Sequence, residues 1–106
     1  DLLRKQKKYD EAIETYKEIA FIEPNNAQAL YERAETHRLQ SKPQWAKTFY
    51  KRALRADAQF GLAELGPAKL ALDAKNKTLY KQHLLKAKEL SPNEPAIIRE
   101  LKKASL

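Results

Sequence analysis

Apolar residues recur along the chain with helical spacing, in segments separated by short turn-forming stretches. Spacings of three and four positions place apolar side chains on one face of an α-helix. The turns are expected at 23–26, 57–60 and 91–94, where residues such as proline, asparagine and aspartate end one helix and cap the next. Between the turns the pattern predicts helices over about 27–40 and 61–74, and a last amphipathic helix over 95–106.

The remaining helical segments repeat with a period of 34 residues, since 9–19, 43–53 and 77–87 align as three rows of one amphipathic design. Four columns of this alignment hold candidate core residues: Ala12, Ala46 and Tyr80; Tyr16, Tyr50 and Leu84; Ile19, Ala53 and Ala87; Ile22, Ala56 and Leu90. Small residues at Ala34 and Ala68 would let paired helices approach closely. We therefore expect an all-α chain of antiparallel helix pairs, each with one buried stripe.

This pattern resembles the tetratricopeptide repeat (TPR), whose 34-residue period carries alanine, aromatic and proline residues at fixed positions. The stretches from Tyr9 to Ile13 and from Glu23 to Ala27 resemble the family consensus most closely, and the register covers essentially the whole chain. The resemblance implies a right-handed superhelical solenoid of antiparallel helix pairs with a C-terminal capping helix. It divides the chain into a partial repeat 1–26, repeats 27–60 and 61–94, and the capping helix 95–106.

Two departures from the family pattern lead to further expectations. We expect the first helix of the first repeat to survive only as residues 1–7, with Leu2 and Leu3 as its core contacts. In the third repeat Gly66 and Pro67 fall inside the first helix, where proline costs about 3 kcal/mol unless the helix kinks or restarts. We expect a late start with Pro67 in the first turn, and Tyr80 filling the space that such a distortion opens.

Composition narrows the class of protein. The 106 residues include no Cys and no Met, with 42% hydrophobic and 33% charged residues. Disulfides and thiolate chemistry are thereby excluded, while the compartment stays open. No apolar run approaches the roughly 20 residues that cross a bilayer, so we expect a soluble chain. Because Met is absent, we also expect these residues to be part of a longer protein.

A search for catalytic chemistry finds no candidate. His37 and His83 lack further ligands at metal-binding spacing, and the serines offer no nucleophile with a base. Glu32 and Glu35 lie one helical turn apart, but an acid–base pair is less favoured than a solvated face in which Glu35 pairs with Arg38. The sequence therefore predicts no enzyme activity, no catalytic or metal-binding residue and no cofactor.

The resemblance implies a function in binding other proteins, because the first helix of each TPR pair lines a concave groove. The positions expected to face a bound peptide or partner helix are Asn26, Gln28, Tyr31, Glu32, Glu35, Phe60, Leu62, Leu65 and Lys69. Tyr31, Phe60, Leu62 and Leu65 would supply apolar anchoring. For Leu62 and Leu65 the alternative of packing against a neighbouring repeat stays open. A further alternative is an accessory domain of a larger enzyme or secretion or assembly machine.

One specialised use of the family is disfavoured. Some TPR domains clamp the acidic C-terminal tails of heat-shock chaperones with lysine, arginine and asparagine on the groove helices. The matching positions here are Asp1, Glu32, Leu62 and Gly66, or Tyr31, Glu35, Gly66, Ala96 and Glu100 in a register shifted by one repeat. Neither register supplies the cations that an acidic tail needs, so chaperone tails are not the expected partner.

Positive charge is concentrated in the middle of the chain. The net charge is +7, and residues 41–90 carry 11 basic and 4 acidic groups. Lys47, Lys51, Arg52 and Arg55 form a basic face that we expect on the convex side. It could contact an acidic protein, a membrane surface or nucleic acid, or be a solvated face. Nucleic acid is disfavoured because aromatic residues are not interleaved with the cations. Exposed repeat ends would also favour a homodimer.

Overall fold

The computed structural model of the chain describes residues 2–106, and within that range it contains six α-helices and no strand. The helices are α1 (Leu2–Ile22), α2 (Ala27–Leu39), α3 (Pro43–Ala56), α4 (Gly61–Asp73), α5 (Lys77–Leu90) and α6 (Pro95–Lys103). The predicted all-α class is confirmed, and α2 and α4 occupy the predicted segments to within one residue. None of the six described helices is long and apolar enough to cross a membrane.

The helices form two layers of a TPR-like solenoid. The inner layer consists of α2, α4 and α6, in which α2 contacts α4 and α4 contacts α6. The outer layer consists of α1, α3 and α5, and each outer helix packs on inner helices. Within residues 2–106 no outer helix touches another outer helix. The outer side of the solenoid is therefore divided by clefts whose floors are inner helices.

Two hydrophobic clusters hold the layers together, one around α2 and α3 and one around α4, α5 and α6. Tyr50 and Leu84, which share one column of the repeat, are fully buried in the first and second cluster respectively. Burying side chains of this size stabilises the fold by about 1.5–3 kcal/mol each. The columns are less well buried in α1, where Ile22 is exposed, contrary to its predicted place in a core column.

The structure corrects the expectation for the start of the chain, because α1 is one continuous helix of 21 residues. Leu2 and Leu3 are 81% and 83% exposed and contribute no core contact. The end of α2 contacts α1 at Asp10, whose side chain accepts a hydrogen bond from Gln40 at 3.4 Å. Residues 2–8 are all exposed and so contribute nothing to the core.

The turns after the inner helices repeat in atomic detail. Ser41 and Lys75, 34 residues apart, have φ of 60° and 61° and follow the ends of α2 and α4. In each turn the next residue donates its N–H to the carbonyl five positions back, Lys42 to His37 and Asn76 to Ala71, at 2.9 and 2.8 Å. These are Schellman motifs, which satisfy the last helical carbonyls.

The position corresponding to these turns in the first repeat is Lys7, which lies within the continuous helix α1. The other two turns are followed by Pro43 or by the capping side chain of Asn76, each of which favours the start of a new helix. The corresponding residues Tyr9 and Lys8 provide neither signal. The local sequence therefore continues α1 through the position where the other repeats turn.

The expectation of a late start at Pro67 was wrong, because α4 begins at Gly61 and carries Pro67 in its interior. Proline disfavours a helical residue before it through a clash with the Cβ of that residue. Gly66 has no Cβ, so this clash is absent. Tyr80 is buried in the second cluster and its hydroxyl donates a hydrogen bond to Glu100 at 3.0 Å. Its role in filling space opened by Pro67 stays a prediction.

Candidate functional site

The inner faces of α2 and α4 form one continuous surface, which we call the inner groove. Its two walls are joined by an ion pair of 3.9 Å between Glu35 of α2 and Lys69 of α4. Asn26 is the N-cap of α2, because its side-chain oxygen accepts a hydrogen bond from the backbone N–H of Ala29 at 3.0 Å. Side-chain caps of this kind contribute about 1 kcal/mol and fix where the helix enters the groove.

Glu35 is the centre of a polar network that links three helices. Its carboxylate accepts hydrogen bonds from the Tyr50 hydroxyl and from Arg38 at 3.3 Å. Arg38 also reaches Asp73 of α4 at 3.5 Å. Burial opposes the positive charge of Arg38, but the carboxylate of Glu35 outweighs this effect and raises the pKa of Arg38. Two anions and two cations therefore neutralise each other across the inner groove.

An aromatic cluster lies beneath one end of the groove. The Tyr31 ring centroid is 6.0 Å from that of Tyr50 and 5.8 Å from that of Phe60, the latter in a T-shaped arrangement. Burial, together with the nearby carboxylate of Glu35, raises the pKa of Tyr31 well above its ordinary value. Such aromatic pairs contribute about 0.5–1.5 kcal/mol beyond their buried area, so the cluster holds α2 rigidly against α3.

Two of the predicted groove residues face the core and not a partner. Leu65 is 1% exposed and belongs to the second cluster, so its prediction as a peptide contact is corrected. The alternative of packing against a neighbouring element holds for Leu65, because the inner helices α2, α4 and α6 pack side by side. Tyr31 is 9% exposed and presents only a small part of its ring.

The other predicted groove residues are at least partly accessible. Gln28 is exposed and donates a hydrogen bond to Glu32 at 3.0 Å. Phe60, Leu62 and Lys69 are half-buried. These side chains, with those of Glu35 and Asn26, lie at or near the inner groove. Their role in binding a partner stays a prediction.

Sequence reasoning did not propose four residues of the groove helices as contacts for a partner. Arg38 and Asp73 complete the network of Glu35. Leu39 and Leu72 are 54% and 43% exposed. Leu39 follows Glu35 by four residues and Leu72 follows Lys69 by three, so helical spacing places both leucines on the inner faces. This spacing was visible in the sequence, but their exposure was not.

The basic face lies on α3, in the outer layer. Lys47, Lys51, Arg52 and Arg55 are all exposed. Within the described residues none of the four forms a salt bridge, although the Arg52 guanidinium lies 4.9 Å from the centroid of the Phe49 ring. These charged side chains are therefore open to solvent, and an acidic partner could approach them directly.

The residues that could take part in catalysis or metal binding make contacts that stabilise the fold. His37 is buried, its Nδ1 lies 3.2 Å from the Gln40 side-chain oxygen, and its ring stacks on Phe49. Among residues 2–106 there is no group of three or more His, Cys, Asp or Glu side chains that could hold a metal ion. Gly66, one of the chaperone-clamp positions, is buried against Tyr50. Asp1, another of them, lies outside the described residues.

A buried carboxylate in α4 was also missed. Glu64 is 3% exposed, and its oxygens lie 2.9 Å from His83 Nδ1 and 3.4 Å from Lys86 Nζ of α5. The same column of the repeat holds Leu30 in α2, which is buried in the first cluster. Glu64 thus replaces an apolar core contact by an ion pair that ties α4 to α5.

Residues 1–41 match a family model described as TPR repeat. No curated protein matches the chain. Repeats of this family generally mediate protein–protein interaction and are typically non-catalytic. The matched segment and the six helices of residues 2–106 support a TPR assignment and are consistent with a TPR-like helical solenoid.

Proposed function

We propose that this chain binds an extended peptide or a helix of a partner protein in the inner groove. The observation that carries the proposal is the pair of exposed leucines, Leu39 and Leu72, on either side of a neutral polar network. An apolar side chain of a partner would bury these leucines, whose exposure is unfavourable in water. The units of the proposed scaffold are the partial repeat 1–26, repeats 27–60 and 61–94, and the closing helix 95–106.

The polar network supports this proposal by its rigidity. Glu35 is held by Tyr50, Arg38 and Lys69, so a partner meets side chains that are already ordered. Ordering flexible side chains on binding costs about 0.5–1.5 kcal/mol each, and this cost is smaller when they are held in advance. Gln28 and Glu32 at the other end of α2 offer hydrogen-bonding groups to the backbone of a partner.

The proposal is tested with peptides selected from a displayed random library against the whole chain. The affinity of the selected peptides is then measured for the wild type and for the double variant Leu39→Ala with Leu72→Ala. We expect a loss of about 30-fold or more, because covering each leucine side chain contributes roughly 1–2 kcal/mol to binding and every 1.4 kcal/mol is about tenfold. Circular dichroism should show unchanged helicity, since both leucines are exposed.

Leu85→Ala is the matched control, because Leu85 is 48% exposed but lies on α5 in the outer layer. This variant should change affinity by less than about twofold. Equal affinity of the groove variant and the wild type for every selected peptide would exclude the inner groove as the binding surface. A larger effect of Leu85→Ala would move the site to the outer layer.

A further inference from the structure

The solvent-facing sides of the outer helices α1 and α3 carry opposite charges. On each of the two helices, exposed charged residues follow one another at every fourth position. They are Asp10, Glu14 and Glu18 on α1, which we call the acidic stripe, and Lys47, Lys51 and Arg55 on α3, which we call the basic stripe. Residues four positions apart lie on the same side of a helix, so each stripe is a continuous band of one charge.

Neither stripe is fully balanced by charges of its own helix. α3 contains no Asp or Glu, and none of its exposed cations forms a salt bridge within residues 2–106. On α1, Asp10 accepts a hydrogen bond from the uncharged Gln40, and Glu14 pairs with Lys17 at 3.3 Å. Glu18 has no salt bridge in the described part of the chain. Because like charges four positions apart destabilise a helix, contact with the opposite charge would stabilise both helices.

The two stripes cannot pair within one copy of the chain, because α1 and α3 do not touch. Both helices run in the same direction, since each is joined to α2 by a short turn and packs against it. The cleft between them is lined by Asp10 of α1 and by Trp45 of α3, so equivalent positions of the 34-residue repeat lie side by side. At one such pair of positions α1 has Glu18 and α3 has Arg52.

This arrangement becomes complementary to itself after a twofold rotation. An axis that lies above the cleft and runs along the helices would exchange α1 with α3. Two copies related in this way face each other through their outer layers, with α1 of each copy on α3 of the other. The acidic stripe then meets the basic stripe twice, without a shift along the helices. Such an interface is isologous and closes at two copies.

The remaining charges of α1 do not oppose this pairing. Its other cations precede residue 9, which corresponds in the repeat to Pro43 at the start of α3. They would therefore project past the end of α3 in the second copy. Phe21, which is 89% exposed, corresponds to Arg55. Pairing would bring the Phe21 ring of one copy near the Arg55 guanidinium of the other, and an aromatic face attracts such a cation.

We propose that the outer faces of α1 and α3 together bind a second copy of this chain. Two helices side by side, each about 20 Å long and 10 Å wide, present roughly 400 Å² on each copy. Stable complexes bury about 800 Å² on each partner, so this dimer is weak and forms at roughly 0.1–1 mM. Its interface differs from the exposed ends of the repeat array, and it leaves the inner groove open on the opposite side.

The proposal is tested by reversing the charge of each stripe. The first variant carries Glu14→Lys with Glu18→Lys, and the second carries Lys51→Glu with Arg55→Glu. Sedimentation equilibrium of the whole chain at about 50 mM salt, where the Debye length exceeds about 10 Å, measures self-association. Each variant alone should dimerise about tenfold or more weakly than the wild type, because like charges then meet at both contacts.

An equimolar mixture of the two variants should form a heterodimer at least as tight as the wild-type dimer, because opposite charges again meet at both contacts. Overall charge cannot cause this association. The first variant raises the net charge of +7 by four and the second lowers it by four, so both remain positive. A mixture that stays monomeric would overturn the pairing of α1 with α3.

The matched control is Lys81→Glu with Lys88→Glu on α5, which gives the same net charge as the second variant and leaves both stripes intact. It should dimerise within about threefold of the wild type and form no heterodimer with the first variant. The same loss in this control as in the second variant would overturn the interface. A wild type that is monomeric at about 1 mM would overturn the binding of a second copy and leave the basic stripe to another acidic molecule.

Circular dichroism confirms that each variant is folded. Glutamate at position 55 lies in the last turn of α3, where the helix dipole disfavours a negative charge. If this variant fails to fold, Lys47→Glu with Lys51→Glu replaces it, since both residues lie before the last turn. The same loss and the same rescue by the first variant are then expected.

Discussion

Gly66→Ala is a small change that the structure turns into a severe one. Gly66 lies against the ring of Tyr50, and a Cβ built on its backbone would overlap the carbon atoms of that ring. The ring cannot move away easily, because Tyr50 is fully buried and its hydroxyl donates a hydrogen bond to Glu35. The added methyl group must therefore push α4 away from α3 or break the hydrogen bond.

Two opposing effects determine the magnitude. Alanine is favoured over glycine in a helix by about 0.8–1 kcal/mol. Overpacking of a filled core costs about 1–3 kcal/mol, and more when backbone must shift. Because the overlap involves the body of a fixed ring, we expect the second effect to dominate, with a net loss of about 1–2 kcal/mol. This corresponds to a fall of roughly 4–16 °C in Tm for a domain of this size.

The assay is urea unfolding followed by circular dichroism, with Gly66→Ala introduced into three backgrounds. In the wild type and in Tyr50→Phe, which keeps the ring, the substitution should destabilise. In Tyr50→Leu, which copies the Leu84 of the next repeat, it should destabilise clearly less, because the overlap with the ring is gone and only the clash of the new Cβ with Pro67 and the opposing helix preference of alanine remain. The same loss in all three backgrounds would refute the steric explanation.

Three further predictions concern stability. Lys75→Gly should stabilise by about 0.5–1 kcal/mol in urea unfolding, because Lys75 has φ of 61°; Lys81→Gly in the middle of α5 should destabilise by a similar amount. Burial and the hydrogen bond to Glu35 raise the pKa of Tyr50. The contribution of Tyr50 to stability should therefore be full below a pH of about 10 and fall above it, where only the unfolded chain loses this proton. A series of urea midpoints in which Tyr50→Phe shows the same alkaline slope would contradict this. Glu64→Leu should change stability by less than about 1 kcal/mol. His83→Leu should cost about 1–3 kcal/mol, because it leaves the buried carboxylate of Glu64 with only one partner. A larger loss for Glu64→Leu than for His83→Leu in thermal unfolding would contradict a burial cost at Glu64.

Sequence reasoning predicted the features that depend on local patterns of residues. The turns at 23–26, 57–60 and 91–94 follow from residue preferences within a few positions. The columns ending in Leu84 and Ala87 follow from helical spacing, and both residues are fully buried. The 34-residue period gives the all-α solenoid because each helix pair buries its stripe only against the next pair.

The groove was predicted less well, because exposure along one face of a helix depends on which of its turns the neighbouring helices cover. Leu65 and Leu72 are seven residues apart on α4, so helical spacing places them on the same face. Leu65 is nevertheless 1% and Leu72 43% exposed, because Leu65 packs with residues of α5 and α6 in the second cluster, to which Leu72 does not belong. Which turns of a helix are covered is not a local property of the sequence.

Pro67 shows how a neighbouring residue can change what a sequence rule predicts. The sequence rule that proline ends a helix assumes an ordinary residue before it. Gly66 removes that assumption, and it also allows Tyr50 of α3 to approach the axis of α4. The missing Cβ of Gly66 thus accommodates both Pro67 within the helix and the ring of Tyr50 packed against it.

The charge balance of the inner groove leads to a prediction about salt. Glu35 and Asp73 neutralise Arg38 and Lys69, so a partner there gains little from long-range attraction. Added salt at 0.1 M screens interactions between exposed charges that lie more than about 10 Å apart, so peptides bound in the groove should keep their affinity as salt is raised. A steep fall of affinity with salt would show that an electrostatic surface binds these peptides instead.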